Sequence, residues 1–299
     1  MSKAIVTGGG GFIGSNLVDK LVEIYDKVII IDNESADSNE QFYYNDKAEK
    51  HLLNVCDYKN TRPLYDGVDC VFHLAAESRI QPTLENPVLA ALTNTVGTCT
   101  VLQCAKEAGV KRVVYSSTSS GYGLKNKIPL NENMPDDCLN PYSVTKISGE
   151  KLCKMYTDLF DLETVVFRYF NVYGERHPVK GQYAPVIGIF IRQKNNGEKL
   201  TIVGDGRQTR DFTHVSDVVQ ANILASDINN KKPVGELINL GTGTNNSILE
   251  IAQMVGDTYD FIESRSGEAQ DTLADISKAK ELLGWAPTVK VEDWIKDNS

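Results

Sequence analysis

The feature that most restricts this chain is a glycine-rich turn with a strand before it and a helix after it. Lys3 to Thr7 is a short apolar run, read as a buried strand, and it leads into Thr7-Gly8-x-x-Gly11-x-x-Gly14. From Asn16-Leu17-Val18 through Ile24 the apolar residues recur at helical spacing. Glycines at such a junction let the backbone turn tightly and approach a pyrophosphate, while the helix N-terminus offers N–H groups and the positive end of its dipole. Lys27 to Ile31 is a second apolar run, and it ends at Asp32, 18 residues past Gly14. A carboxylate there is placed to accept from both ribose hydroxyls of an adenosine. It also repels a 2′-phosphate, and no arginine follows in Asn33-Glu34-Ser35-Ala36, so NAD is favoured over NADP.

The alternation continues along the chain. Further strands are expected at His51–Val55, Cys70–Leu74, Arg112–Ser116, Thr164–Tyr169 and Leu237–Leu240. Helical patterns are clearest at Val88–Ala108 and Tyr142–Leu159, with others at 186–195, Ser216–Ala225 (capped by Ser216), from Ser247, and in two short C-terminal segments. This order predicts an α/β fold: a Rossmann-type doubly wound parallel sheet with a smaller C-terminal substrate-binding lobe. Residues 1–171 plus about 211–240 are assigned to the NAD-binding domain, and 172–210 plus about 241–299 to the lobe, with 174–185 a loop. A net charge of −9 argues against nucleic acid and anionic membrane as partners. No apolar run approaches the length of a membrane span and no leader is visible. Six cysteines without CxxC spacing read as reduced thiols of a cytoplasmic protein. Four histidines (His51, His73, His177, His214) without HExxH spacing leave no metal site in view.

Asn140-Pro141-Tyr142-Ser143-Val144-Thr145-Lys146 carries the chemistry. Asn140 suits a helix N-cap and Pro141 the first helical position, so Tyr142 and Lys146 fall one turn apart on one face. A cation ~4 Å from a phenol, at an effective dielectric of about 20, favours the phenolate by roughly 4 kcal/mol, about three pKa units. A tyrosine so tuned can take a proton from a sugar or alcohol hydroxyl at neutral pH. Tyr43 and Lys47 have the same spacing in a surface-like setting, so the pair gains its meaning from context.

That context resembles a family. The glycine motif, His73-Leu74-Ala75-Ala76, Ser116-Ser117-Thr118, Tyr142-x-x-x-Lys146 and Arg168-Tyr169-Phe170-Asn171-Val172-Tyr173-Gly174 occur in order. Arg210-Asp211-Phe212-Thr213-His214-Val215 and Ala274-Asp275-Ile276-Ser277-Lys278-Ala279 follow. The chain is similar, from Lys3 to about Trp285, to the extended short-chain dehydrogenases/reductases, and most to their UDP-glucose/UDP-N-acetylglucosamine 4-epimerases. The resemblance implies Tyr142 as base, Lys146 tuning it and holding the nicotinamide ribose, and Thr118 relaying the sugar O4 proton. For NAD it implies Gly8, Gly11, Phe12, Ile13 and Gly14 at the pyrophosphate, and Asp32 and Asn33 at the ribose. Val55 and Asp57 would lie at the adenine, Leu74, Ala75, Ala76 and Ser116 along the groove, and Tyr169 beside the nicotinamide. Asn171, Arg210 and Arg265, with Arg207 a weaker candidate, would hold the substrate's diphosphate. A homodimer through the two long helices is implied as well.

The implied reaction is C4 epimerisation of a UDP-sugar through a 4-keto intermediate, with NAD retained. Related 4,6-dehydratases and decarboxylases carry a carboxylate just after the threonine, whereas here Ser119-Ser120-Gly121 follow Thr118. Similar epimerases place a large aromatic at the position of Thr272 to exclude acetylated sugars. A threonine favours UDP-GlcNAc/UDP-GalNAc, with UDP-Glc/UDP-Gal beside them. Two departures stand out. Glu77-Ser78-Arg79 is unusually charged, which keeps UDP-glucuronate as an alternative, and Gln270 occupies a position where a second arginine is common. A non-catalytic NAD-binding relative is the reading from another class, disfavoured by the presence of both Tyr142 and Lys146.

Overall fold

The structure, a computed structural model, describes residues 2–299 except 37–38, 180–183 and 264–268. Its centre is a sheet of seven parallel strands. In chain order these are β1 (Lys3–Thr7), β2 (Lys27–Asp32), β3 (Glu49–Leu52), β4 (Cys70–His73), β5 (Arg112–Thr118), β6 (Glu163–Tyr169) and a last strand, Leu237–Leu240. Across the sheet they run Leu237–Leu240, β6, β5, β4, β1, β2, β3. Apolar side chains of the central strands alternate between two cores. Val6, Ile30, Phe72, Val114 and Phe167 enter one, and Ile5, Ile29, Val71, Val113 and Val166 the other. Burial on both faces is why these strands read as unbroken apolar runs rather than alternating ones. Thr7 pairs with both Ile31 and His73, and Thr118 with Tyr169, so the polar strand ends line up along one edge.

The edge strand differs from expectation. β3 covers Glu49–Leu52 rather than His51–Val55, because its half-exposed residues include a glutamate and a lysine that hide it from an apolar reading. Leu53 and Val55 belong to the turn that follows, where Leu53 N–H donates to the Asp32 carbonyl (3.0 Å). The Val215–Ser226 helix is capped by His214, whose ring nitrogen accepts from Ser216 N–H (3.2 Å), and not by Ser216. The segment around Ala274, Ile276, Ala279, Leu283 and Trp285, assigned from sequence to the smaller lobe, packs into the first core of the main sheet. A third core gathers Ile187, Phe190, Leu200, Ile202, Ile251 and Val255.

One flanking helix runs from Pro87 to Ala108. Contrary to the sequence reading, it is long and apolar enough, at mean hydropathy 1.3, to cross a membrane by length and composition alone. Thr93-Asn94-Thr95 interrupts the apolar run in sequence, but an average over the helix absorbs it. In the fold the helix packs on β4 and on the Pro141–Phe160 helix. Its middle, Ala91–Val96, is π-helical and buries Asn94.

The Pro141–Phe160 helix starts with a capping box: Asn140 Oδ1 accepts from Ser143 N–H (2.9 Å), and Asn140 N–H donates to Ser143 Oγ (3.3 Å). Two turns on, Glu150 receives both Nε (2.8 Å) and Nη2 (2.7 Å) of Arg168 on β6. Arg168 is 1% exposed, reaches Asp136 as well (2.7 Å), and lies over the Tyr122 ring. This fork fixes the helix against the sheet. The variant Arg168→Met, which leaves the Glu150 carboxylate buried without its guanidinium, is expected to lower the unfolding free energy by about 3–5 kcal/mol. An unchanged urea midpoint would contradict that role.

Candidate active site

A cleft of about 820 Å³ opens along the C-terminal ends of the strands, the edge where open parallel sheets hold ligands. At one end lie Gly8, Gly11, Phe12, Ile13 and Gly14. Gly8 has φ +70°, and a Cβ there would sit 2.7 Å from Ala75 N. At Gly14 a Cβ would meet the Gly8 carbonyl at 2.1 Å. Both positions require glycine, and the turn is correspondingly narrow. Asp32 is buried at the end of β2. Its Oδ2 accepts from Gly10 N–H (2.9 Å) and its Oδ1 from Glu34 N–H (2.8 Å), which fixes the carboxylate with lone pairs to spare for a diol. Asn33, Val55, Leu74, Ala75 and Ala76 complete this wall. The donor set suits an adenosine-bearing dinucleotide without a 2′-phosphate. Asp57, assigned from sequence to the adenine, does not line the cleft and caps the short helix Tyr58–Thr61 through Asn60 N–H (3.2 Å), while Asn54 lines the cleft.

Midway, Thr118, Tyr142, Lys146, Ser116 and Tyr169 meet. The Ser116 and Tyr169 hydroxyls are 2.9 Å apart, and Asn222 Nδ2 donates to the Tyr169 oxygen (2.9 Å), which locks that ring. Thr118 Oγ1 accepts from Ser120 N–H (3.1 Å) and hydrogen-bonds with the Tyr142 hydroxyl. Lys146 sits over the Tyr115 ring (4.4 Å), and burial lowers its pKa to about 7. The sequence argument expected Lys146 to pull the Tyr142 pKa down. Instead burial raises Tyr142 above its ordinary value, and what opposes burial is the Thr118 hydrogen bond and the charge of Arg79. Desolvation outweighs the nearby charges. His73 is a packed core residue, held between Thr7 Oγ1 (2.7 Å) and Thr98 Oγ1 (2.9 Å), and burial keeps it neutral.

The third region carries the candidate diphosphate contacts. Asn171 and Arg210 line the cleft. Asn171 adopts φ +27°, where asparagine is among the tolerated residues, and its Nδ2 donates to the Asp211 carbonyl (3.0 Å). Arg210 Nη1 donates to the carbonyls of Thr209 (2.8 Å) and Gln270 (3.2 Å). Asp211 is no ion-pair partner for its neighbour. Its carboxylate accepts from Thr242 N–H and Oγ1, Gly243 N–H and Ala274 N–H at 2.7–3.1 Å. Arg207, the weaker candidate, is 84% exposed in its side chain, faces Asp205 and does not line the cleft. Thr272 does not line the cleft either. It lies behind Asn171, where its buried hydroxyl accepts from Asn171 Nδ2 (3.3 Å) and Asp211 N–H (3.2 Å). Arg265 lies outside the described residues.

Sequence reasoning missed the far wall. Arg192, Gln193, Thr201, Val203 and Gln208 line it, contributed by the Val186–Asn195 helix and the Leu200–Val203 strand with the turn beyond. Nothing local marked them, since that helix reads only as amphipathic. Arg79, noted in sequence only as a charge near the entrance, lines the same cleft as Tyr142, and its charge acts on the Tyr142 hydroxyl.

The lowered Lys146 pKa has a thermodynamic sign. Between about 7 and the ordinary lysine value the unfolded chain binds more protons, so this group adds stability as pH rises through that window. Lys146→Met should flatten the rise, and equal pH slopes for parent and variant in urea unfolding would contradict it.

Residues 4–241 match the sequence profile of the NAD dependent epimerase/dehydratase family. The chain is 36% identical to a putative UDP-glucose 4-epimerase of Methanocaldococcus jannaschii, over 99% of each chain. In structure it resembles the UDP-N-acetylglucosamine 4-epimerase of Methanobrevibacter ruminantium (TM-score 0.92, 30% identity, covering 99% of this chain and 96% of that one). It also resembles the UDP-glucuronic acid 4-epimerase of Bacillus cereus, solved with UDP-glucuronic acid and NAD (TM-score 0.87, 32% identity, 99% and 97% covered). With its narrow glycine turn, its fixed Asp32 and its Thr118–Tyr142–Lys146 centre, the chain belongs to the NAD dependent epimerase/dehydratase family.

Proposed function

We propose that this protein interconverts the C4 epimers of a UDP-sugar through a 4-keto intermediate. One observation carries the choice among the family's reactions. Among the described residues that line the cleft, the sole carboxylate is Asp32, at the adenosine end. Around Thr118 the wall offers only hydroxyls, Ser119 and Ser120, so an elimination or a carboxylate-assisted step lacks its acid. Oxidation and return need less. Tyr142 takes the O4 proton, with Thr118 in its hydrogen-bond path, and gives it back on the other face after the ring turns. Lys146, with a pKa near 7, holds its proton or yields it at little cost. NAD, when bound, supplies the two-electron acceptor that is regenerated in each turnover.

The uridine part is supported by the Leu200–Val203 strand. It pairs in parallel with Tyr259–Ile262, taking Leu200 N–H to Thr258 O (3.0 Å) and Gly204 N–H to Ile262 O (2.9 Å). Alternation along a ladder turns Thr201 and Val203 to the opposite edge. There Thr201 N–H is taken by Gln193 Oε1 (3.1 Å), and the Val203 carbonyl accepts from Gln208 Nε2 (2.8 Å). The Thr201 carbonyl and Val203 N–H remain side by side, an acceptor and a donor that complement N3–H and O4 of uracil. Arg210 lines the cleft and directly precedes Asp211, whose carbonyl accepts from Asn171 Nδ2, and its guanidinium suits a diphosphate.

UDP-GlcNAc/UDP-GalNAc are the favoured sugars, with UDP-Glc/UDP-Gal accepted. Thr272 backs Asn171, and an aromatic ring in its place would have to push Asn171 into the cleft. A second reading, UDP-glucuronate, is favoured by the cation of Arg79 near Tyr142. We further propose a cytoplasmic homodimer. Val88, Leu92, Val96, Val144 and Leu159 leave apolar surface exposed on the two long helices, with Val88 at 68%.

The assay follows 4-epimer formation from UDP-GlcNAc, UDP-Glc and UDP-GlcA without added NAD. Product from UDP-GlcNAc, lost by a factor of about 10²–10⁴ in Tyr142→Phe, is expected. No epimer from any donor by protein that holds NAD would sink the proposal. For the sugar, Thr272→Tyr should lower turnover of the N-acetylated pair at least about tenfold relative to UDP-Glc, about the worth of one lost methylene-scale fit. An unchanged ratio would remove Thr272 from the argument.

A further inference from the structure

We infer that Arg79 is a positioning residue for the proton transfer, the cation whose charge favours the phenolate of Tyr142. This rests on the reading of Tyr142 as the base. Both side chains stand on the wall of the same cleft. Their relative position is fixed by a bracket from the π-helical segment. Asn94 Oδ1 accepts from Glu77 N–H (2.8 Å), and its Nδ2 donates to the Glu77 carbonyl (3.0 Å). The same Nδ2 lies 2.9 Å from Thr145 Oγ1, three residues past Tyr142. The loop carrying Arg79 and the helix carrying Tyr142 therefore share one buried amide. Arg79 is held on its other side as well. Its carbonyl accepts from Thr83 N–H (3.3 Å) in the first turn of Ile80–Glu85, and Thr83 is buried.

A guanidinium is expensive to bring into such a cleft, and burial lowers its pKa while the Tyr142 charge offsets that. The benefit is reciprocal, because whatever the phenolate does for Arg79, Arg79 does for the phenolate. Arginine suits the place better than lysine, since it stays charged where Lys146 does not hold its proton far above neutrality. The other groups around Tyr142 are Thr118 from β5, Tyr115, and, along the same cleft, Lys146 one turn on, Tyr169 at the end of β6 and Asn171 just past it. Arg192 and Arg210 also line the cleft but are not among the charges acting on Tyr142, and Glu150 lies two turns along the same helix, engaged by Arg168.

The test uses the NAD-loaded protein. Arg79→Met should move the acid limb of the kcat/KM profile up by about one pH unit, losing about tenfold near neutrality and recovering in alkali. Arg79→Lys should fall between parent and Arg79→Met. An ultraviolet phenolate titration, comparing Arg79→Met with and without Tyr142→Phe, should place the Tyr142 ionisation higher than the same comparison in the parent. A loss of equal size at every pH would overturn the inference. So would a loss confined to UDP-GlcA with the limb unmoved, which would make Arg79 a reader of the sugar carboxylate. Because the titration needs no turnover, an inactive parent would sink the epimerase reading while leaving Arg79 to be decided.

Discussion

Everything in this molecule follows from running seven strands in one direction. A parallel sheet cannot close its chain with hairpins, so each strand needs a crossover, and every crossover begins at the same edge. Thr7, Asp32, His73, Thr118 and Tyr169 are all last residues of their strands, and that shared position brings Asp32, Thr118 and Tyr169 to the cleft. The chain leaves β1 toward β2 on one side and reaches β4 on the other, which opens the crevice between. Helices then have only to cover the faces and aim a few side chains back over that edge.

The helix bearing Tyr142 shows how aim is maintained. Proline and an asparagine cap set where it begins, and the Arg168–Glu150 fork holds it down two turns later. Between those points the protein accepts an electrostatic cost. Lys146 and Tyr142 are both pushed toward their neutral forms by burial. Nearby charges narrow the cost without cancelling it.

What was legible in the sequence was what depends on a few adjacent residues. The glycine turn, the acid ending β2 and the capped helix with Tyr142 and Lys146 are short-range patterns, and each is built as read. Residues whose place depends on distant chain were misjudged. Arg207, already the weaker candidate in sequence, follows the turn at Gly206 (φ +74°) and is exposed. Thr272 was read as pocket surface because a residue's layer, lining or backing, is not written in its neighbours. The far wall escaped notice for a related reason: Gln193 matters through Thr201, which belongs to a different element.

Asp211 has a mechanical meaning beyond its place beside Arg210. Its single carboxylate gathers four donors from two separate stretches of chain, Thr242-Gly243 just past the last strand and Ala274 some thirty residues on. The backbone carbonyl of the same residue holds Asn171. A joint of that kind behaves as a fixed bearing rather than a hinge, so relative motion of the nucleotide wall has to be taken up elsewhere along the cleft. For anyone transplanting the far wall onto another scaffold of this type, the minimal graft is then defined by this carboxylate and its donors, and not by where the strands end.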